Sequence, residues 1–275
     1  MATVANGIAV KERRPDRLSG TPRAGFIDRW IYVFTAASFI VITLTGFIPD
    51  SLMKIAMVKA GLRPPFPPAL HVHAVLMGTF LVLLLAQTWL MATGRKAMHM
   101  QLGVAGVVVA VALVLAGAVL APTMYYQTWN GLQAAPAGAR DELLQILSMQ
   151  ENILLLQIRI AMVFPLLLAV GIAARADDPG LHKRMIILAT SVPIEAAIAR
   201  MTWLPTTMPE SPLSMVLFGL LIVAPMFAWD VIRNRHIHRA YWWWLAIYAA
   251  TAVVVELLWN TPAWHATAKQ IMAVG

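Results

Sequence analysis

The sequence predicts an all-α fold: an integral membrane bundle of about seven transmembrane helices, with the N-terminus cytoplasmic and the C-terminus outside. Three observations predict it. Of the 275 residues, 60% are hydrophobic and only 12% charged, and the mean hydropathy is +0.71, more apolar surface than a water-exposed fold can hide. The apolar residues gather in runs at about 29–49, 70–92, 102–121, 150–174, 185–205, 213–232 and 241–260, each close to the ~20 residues that cross ~30 Å of hydrocarbon. Basic residues favour alternate connections. Arg95 and Lys96, then Arg175, Lys183 and Arg184, then Arg233, Arg235 and Arg239 fall on the side of the basic N-terminus, whereas the outer connections after the third and fifth runs hold only Arg140. Lys54, Lys59 and Arg63 in the first outer connection dissent and are outvoted.

Residues 1–28 read as a basic cytoplasmic segment carrying Lys11, Arg13, Arg14, Arg17 and Arg23, residues 29–265 as the transmembrane domain, and residues 266–275 as a short tail. The first run is too long for a signal-peptide core, so it is expected as an uncleaved first helix. Pro64, Pro65, Pro67 and Pro68 stiffen the approach to the second span, and residues 122–138 read as a long outer loop continued by an interfacial helix over 139–149. Pro165, Pro193 and Pro225 are expected to kink the fourth, fifth and sixth spans. The inner connections share a basic and histidine pattern, Gly94-Arg95-Lys96-Ala97-Met98-His99, Pro179-Gly180-Leu181-His182-Lys183-Arg184 and Arg233-Asn234-Arg235-His236-Ile237-His238, which reads as a helical-hairpin repeat.

The net charge of +8 is distributed as topology between apolar runs, so no nucleic-acid partner is expected. With no cysteine, disulfides, thiolate metal sites and iron–sulfur clusters are excluded. No nucleotide-binding glycine loop, nucleophile elbow or two-histidine metallopeptidase motif occurs.

The candidate functional residues are ionisable groups inside apolar runs, each costing on the order of 2.5–3.5 kcal/mol to insert. Arg159 and Glu195 lie at matching depth on the fourth and fifth spans and are expected to pair; with Arg200 and Glu256 they outline a polar intramembrane site in the outer half. His71 and His73 open the second span on that side, and His265 follows the seventh, so a histidine-ligated metal is one reading. If the segment is helical, residues two apart point about 200° from each other and His71 and His73 cannot share one ion. His99 and His182 occupy equivalent places at the inner ends of the third and fifth spans, the arrangement by which two imidazoles hold a b-type haem; the bland alternative is a pair of interfacial histidines beside Lys and Arg. His236 and His238 read as exposed loop residues.

The motifs Leu70-His71-Val72-His73-Ala74, Gln87, Gly94-Arg95 with His99 and Leu102-Gly103, Leu181-His182-Lys183-Arg184-Met185 and Ala199-Arg200 resemble those of a group of uncharacterised bacterial multi-pass membrane proteins, over roughly residues 68–205. The resemblance implies a shared bundle in the bacterial inner (cytoplasmic) membrane and brings no activity with it. More distantly, the chain is similar to cytochrome b561-like bundles, whose antiparallel helices hold two haems with four histidines; only His99 and His182 carry over, because the fourth span has no histidine.

Three functional readings follow. The first is a redox-related membrane protein holding haem or a metal through histidines and meeting an apolar or quinone-like partner. Another is a small-molecule or proton transporter using the Arg159/Glu195 pair. The third is a non-catalytic subunit or assembly factor, docking a membrane-protein partner or a second copy of itself as a homo-oligomer. In each the lipid bilayer is the first partner.

Overall fold

The computed structural model describes residues 16–274, so Lys11, Arg13 and Arg14 of the basic N-terminal segment lie outside the described residues. It holds eight α-helices and one 3-10 turn: α1 Phe26–Lys59, α2 Pro68–Ala92, α3 Lys96–Ala134, the turn Ala137–Ala139, α4 Arg140–Ala173, α5 Pro179–Ile198, α6 Leu213–Asn234, α7 Arg239–Leu258 and α8 Pro262–Ile271. Six of them, α1 to α4 with α6 and α7, are long and apolar enough to cross a membrane. The α5 helix differs because Lys183, Arg184 and Glu195 all fall within its twenty residues.

Successive long helices run in opposite directions. The α2–α3 and α4–α5 hairpins lie beside each other through α3 and α4, and α5 touches α1, α4, α6 and α7. The least apolar long helix is therefore the central one, with thirteen of its twenty residues buried. By contrast α3 turns Val104, Val108, Val111, Leu115 and Val119 outward. An apolar exterior around a partly polar centre is the distribution a lipid solvent selects, since no water is present to reward polar groups on the outside. Glycines let the central helices approach. A Cβ on Gly46 of α1 would run into the Ala197 backbone of α5, and one on Gly171 of α4 would press on Met185 and Ile186.

At 1.5 Å per residue the 34 residues of α1 and of α4 and the 39 of α3 far exceed one ~30 Å crossing, and all three overshoot at the end away from the basic turns. The long outer loop expected over 122–138 is largely absent: α3 continues past Pro122 to Ala134. A proline removes only one helical hydrogen bond, and beyond it Tyr125 and Leu132 find apolar partners in a second cluster with Leu147, Leu154, Trp259 and Trp264. Residues 266–275, expected as a tail, begin inside α8, which is capped by the Thr261 hydroxyl accepting from the Trp264 N–H at 3.2 Å and anchored by buried Trp264 and Ala268. At the basic end, residues 16–25 form a strap under the bundle. Leu18 is fully buried there, its carbonyl accepts from Lys183 Nζ, and the Arg17 N–H donates to Asn234 Oδ1 at 2.9 Å.

Candidate functional site

At the basic end the His99 and His182 rings lie with centroids 6.4 Å apart and planes at 82°. The α2–α3 and α4–α5 turns place them in the same way. Nδ1 of His99 sits 3.3 Å from the Gln87 carbonyl, twelve residues back on α2, and Nδ1 of His182 sits 2.7 Å from the Gly171 carbonyl, eleven back on α4. A carbonyl can only accept, so each Nδ1 carries a proton, and in the neutral ring each Nε2 then keeps its lone pair. Among the described residues neither Nε2 has a protein partner. The Gln87 side chain lies beside Gly103, one turn along α3 from His99, and both its amide atoms are buried without a hydrogen bond. His238, in the third connection, behaves differently and is not the exposed loop residue expected: its Nδ1 caps α7 by accepting from the Ala240 N–H at 3.2 Å, and burial followed by the Arg184 charge pushes its pKa down to about 4. His236 is exposed.

In the centre of the bundle Arg159 of α4 and Glu195 of α5 meet at 2.8 Å, with side chains 2% and 5% exposed. Tyr248 completes the group from α7: its hydroxyl donates to Glu195 Oε1 at 2.5 Å, its ring lies 4.4 Å from the guanidinium carbon, and Thr251 Oγ1 accepts from Arg159 Nε at 3.3 Å. Gly219 of α6 leaves room for the Tyr248 hydroxyl, which a methyl group there would displace. Arg159 Nη2 is buried and has no partner among the described residues.

The other residues of the expected polar site take separate partners. Arg200 turns toward α1, where its Nε lies 3.4 Å from Asp50 and its guanidinium carbon 4.3 Å from the Phe47 ring centre. Glu256 is exposed and accepts from the Ser211 hydroxyl at 2.9 Å and 3.0 Å. His71 and His73 both lie on helical turns of α2, so they diverge. His71 is exposed against Phe66, and His73 packs on Gly117 of α3 with Nδ1 buried and unpaired. His265 of α8 instead meets Glu151 at 2.6 Å, where Tyr125 also donates at 3.2 Å. Among the described residues no three His, Asp or Glu side chains converge as a metal cluster, so His71, His73 and His265 are not brought together.

One buried group was missed in the sequence. Arg184 and Asp230 are both 0% exposed and joined by two bonds, Nε to Oδ2 at 2.5 Å and Nη2 to Oδ1 at 2.9 Å. The Tyr241 hydroxyl and Asn234 amide also donate to Asp230, at 2.8 Å and 2.7 Å. Arg184 Nη1 reaches Asp16 of the strap at 2.7 Å. Burial alone would raise the Asp16 carboxyl, but the Arg184 hydrogen bond and the Lys183 and Arg184 charges outweigh it and hold it well below the usual carboxylate range. A second such contact joins Asp28 to Arg233 at 2.7 Å, with Trp229 Nε1 donating to the same carboxylate at 2.8 Å. Asp230 and Asp28 stand inside or at the edge of apolar runs, the same signal that drew attention to Glu195.

Compared with known proteins, the chain matches no protein-family model, no curated protein and no solved structure. The motif likeness in its sequence therefore assigns no family, and what stands is a multi-helix, membrane-like bundle with buried ion pairs at Arg159–Glu195 and Arg184–Asp230.

Proposed function

We propose that this chain is a seven-span inner-membrane protein, with α5 as the enclosed seventh span and the N-terminus inside, whose His99 and His182 hold a redox group of the haem type at the inner rim. The spacing of the two rings carries the reading. Two imidazoles that would hold one metal between them, with metal–nitrogen bonds of about 2 Å, would need ring centres roughly 6 Å apart. The 6.4 Å separation of the His99 and His182 rings leaves that room. Both rings also have the outer hydrogen bond of a ligating histidine, Nδ1–H to a carbonyl, which leaves Nε2 as the nitrogen that would bind. The unpartnered Gln87 amide one turn away supplies polar atoms that a bound group can satisfy.

A haem held there supplies one-electron transfer. The protein's own part is to present two neutral imidazoles, keep them apart with two rigid hairpins, and place the centre at a rim where an apolar, quinone-like partner arrives from the bilayer. The test is the absorption spectrum of detergent-purified protein, oxidised and dithionite-reduced. A Soret band with sharp reduced α and β bands, abolished in His99→Ala and His182→Ala, is expected; a featureless spectrum from protein produced with haem supplied overturns the reading.

A second reading, transport, rests on the unpaired Arg159 Nη2 beside a carboxylate in the middle of the bundle. Flux in reconstituted vesicles that disappears in Glu195→Gln, with no chromophore, would favour it.

A further inference from the structure

We propose that the hollow between the N-terminal strap and the α2–α3 turn binds the phosphate of an anionic phospholipid. The hollow is about 390 Å³, lined by Thr21, Pro22, Arg23, Met91, Gly94 and Lys96. Three independent features point to a phosphodiester headgroup. Arg23 and Lys96, with Arg95 beside them, are exposed, and among the described residues none has a carboxylate or other acceptor as partner, whereas nearby Arg184, Arg233 and Arg239 are each matched by an aspartate. α3 begins at Lys96 in the lining with no side-chain cap, so its first N–H groups are left without a side-chain acceptor beside the hollow. Its floor is apolar, from Pro22 and Met91, and suits the glycerol and first methylenes rather than a hydrated ion. Gly94, with φ +77°, turns the chain beside this floor at a place where a Cβ would crowd the Pro22 ring.

The surroundings choose a lipid over a soluble anion. Phe26, 71% exposed, and Trp89, 49% exposed, flank the same end, and Trp30 packs edge-on against Trp89 at 5.0 Å, an aromatic group at the level where headgroups meet hydrocarbon. Arg29 ties α1 to the end of α2 by donating to the Ala92 carbonyl at 2.5 Å. Basic pockets between spans at the inner surface recognise headgroups in this way, each Lys or Arg strengthening the attraction roughly fivefold.

Full-length protein in a neutral detergent, titrated with phosphatidylglycerol or phosphatidylcholine and followed by native mass spectrometry, tests the proposal. Preferential retention of phosphatidylglycerol is expected, weakened roughly fivefold by Arg23→Gln or Lys96→Gln and more by the pair. These side chains are exposed, so the variants should keep the thermal transition of the parent. Arg140→Gln, on an exposed cation at the opposite end, should leave binding unchanged. Equal retention of the two lipids, an undiminished double variant, an equal loss with Arg140→Gln, or displacement of the lipid by millimolar inorganic phosphate would each overturn it.

Discussion

Replacing Glu195 by Gln leaves shape and volume almost unchanged but removes the only negative charge within ion-pair distance of Arg159 among the described residues. The Tyr248 hydroxyl can still donate to the amide oxygen. The amide nitrogen, however, either faces Arg159 Nη1 across the former 2.8 Å contact or turns toward Tyr248, whose hydroxyl must then accept from it and donate to the Val216 carbonyl at 3.0 Å; in both cases the guanidinium faces a neutral group. With the two side chains 2% and 5% exposed, water cannot take over the solvation of the guanidinium. Removing one partner of such a pair costs about 3–5 kcal/mol, whereas replacing both by apolar side chains of similar volume is often neutral or stabilising. Glu195→Gln should therefore lower the unfolding free energy in detergent by about 3–5 kcal/mol, and Arg159→Met combined with Glu195→Met should restore most of it. Denaturant titration followed by far-ultraviolet circular dichroism measures both. A single variant within about 1 kcal/mol of the parent, or a double variant as unstable as the single, would refute the view that this contact clamps α4, α5 and α7 together.

Other consequences follow from the same packing. Gly46→Ala places a methyl group against the Ala197 backbone, which cannot rotate aside as a side chain would, so a loss of at least about 1–3 kcal/mol is expected by the same titration, against little change for Gly78→Ala, where the space is open. Asp230→Asn strips a fully buried Arg184 of its bidentate partner and should cost about 3–5 kcal/mol, with the strap around Leu18 becoming cleavable by added protease as Asp16 loses its ordered partner. His238 supplies a pH dependence. Its folded pKa of about 4 lies below the ordinary 6.5, so between those values the unfolded chain binds the extra proton, and stability that is full above pH 6.5 falls as the pH drops toward 4. Arg184, Asp178, Asp230 and Asp16 are the charges that act on it, and His238→Asn, which keeps a capping side chain, should flatten that part of the profile.

Much of the fold was legible because membrane helices announce themselves by length and apolarity, and because depth can be counted along them. The meeting of Arg159 and Glu195 followed from that counting, and the helical start of α2 separated His71 from His73 as its spacing required. Legibility failed where a residue's partner lies far along the chain and its own neighbourhood looks ordinary. Arg184 sits in a basic turn that topology explains by itself, and nothing local says that Asp230 and Asp16, 46 residues after it and 168 before it, will enclose it. The outer ends failed for a related reason: Pro122 reads as a stop, and only the partners of Tyr125 and Leu132, supplied by α4, α7 and α8, keep α3 helical beyond it.

The placement of α5 ties these observations together. In water the most polar helix of a bundle would face outward, but here Arg184 at one end and Glu195 toward the other give α5 two fixed attachments, to α6 and the strap through Asp230 and Asp16, and to α4 and α7 through Arg159 and Tyr248. Lipid tails offer these groups nothing, so each contact is worth more inside the bundle than any exposed arrangement, and the charges that weaken the helix as a membrane span define it as the centre. His182 is on that same helix, two residues from Arg184. His182 is thus carried by the most firmly tethered element in the protein, while His99 comes from the peripheral α2–α3 hairpin, and in both the Nδ1-to-carbonyl bond sets the ring.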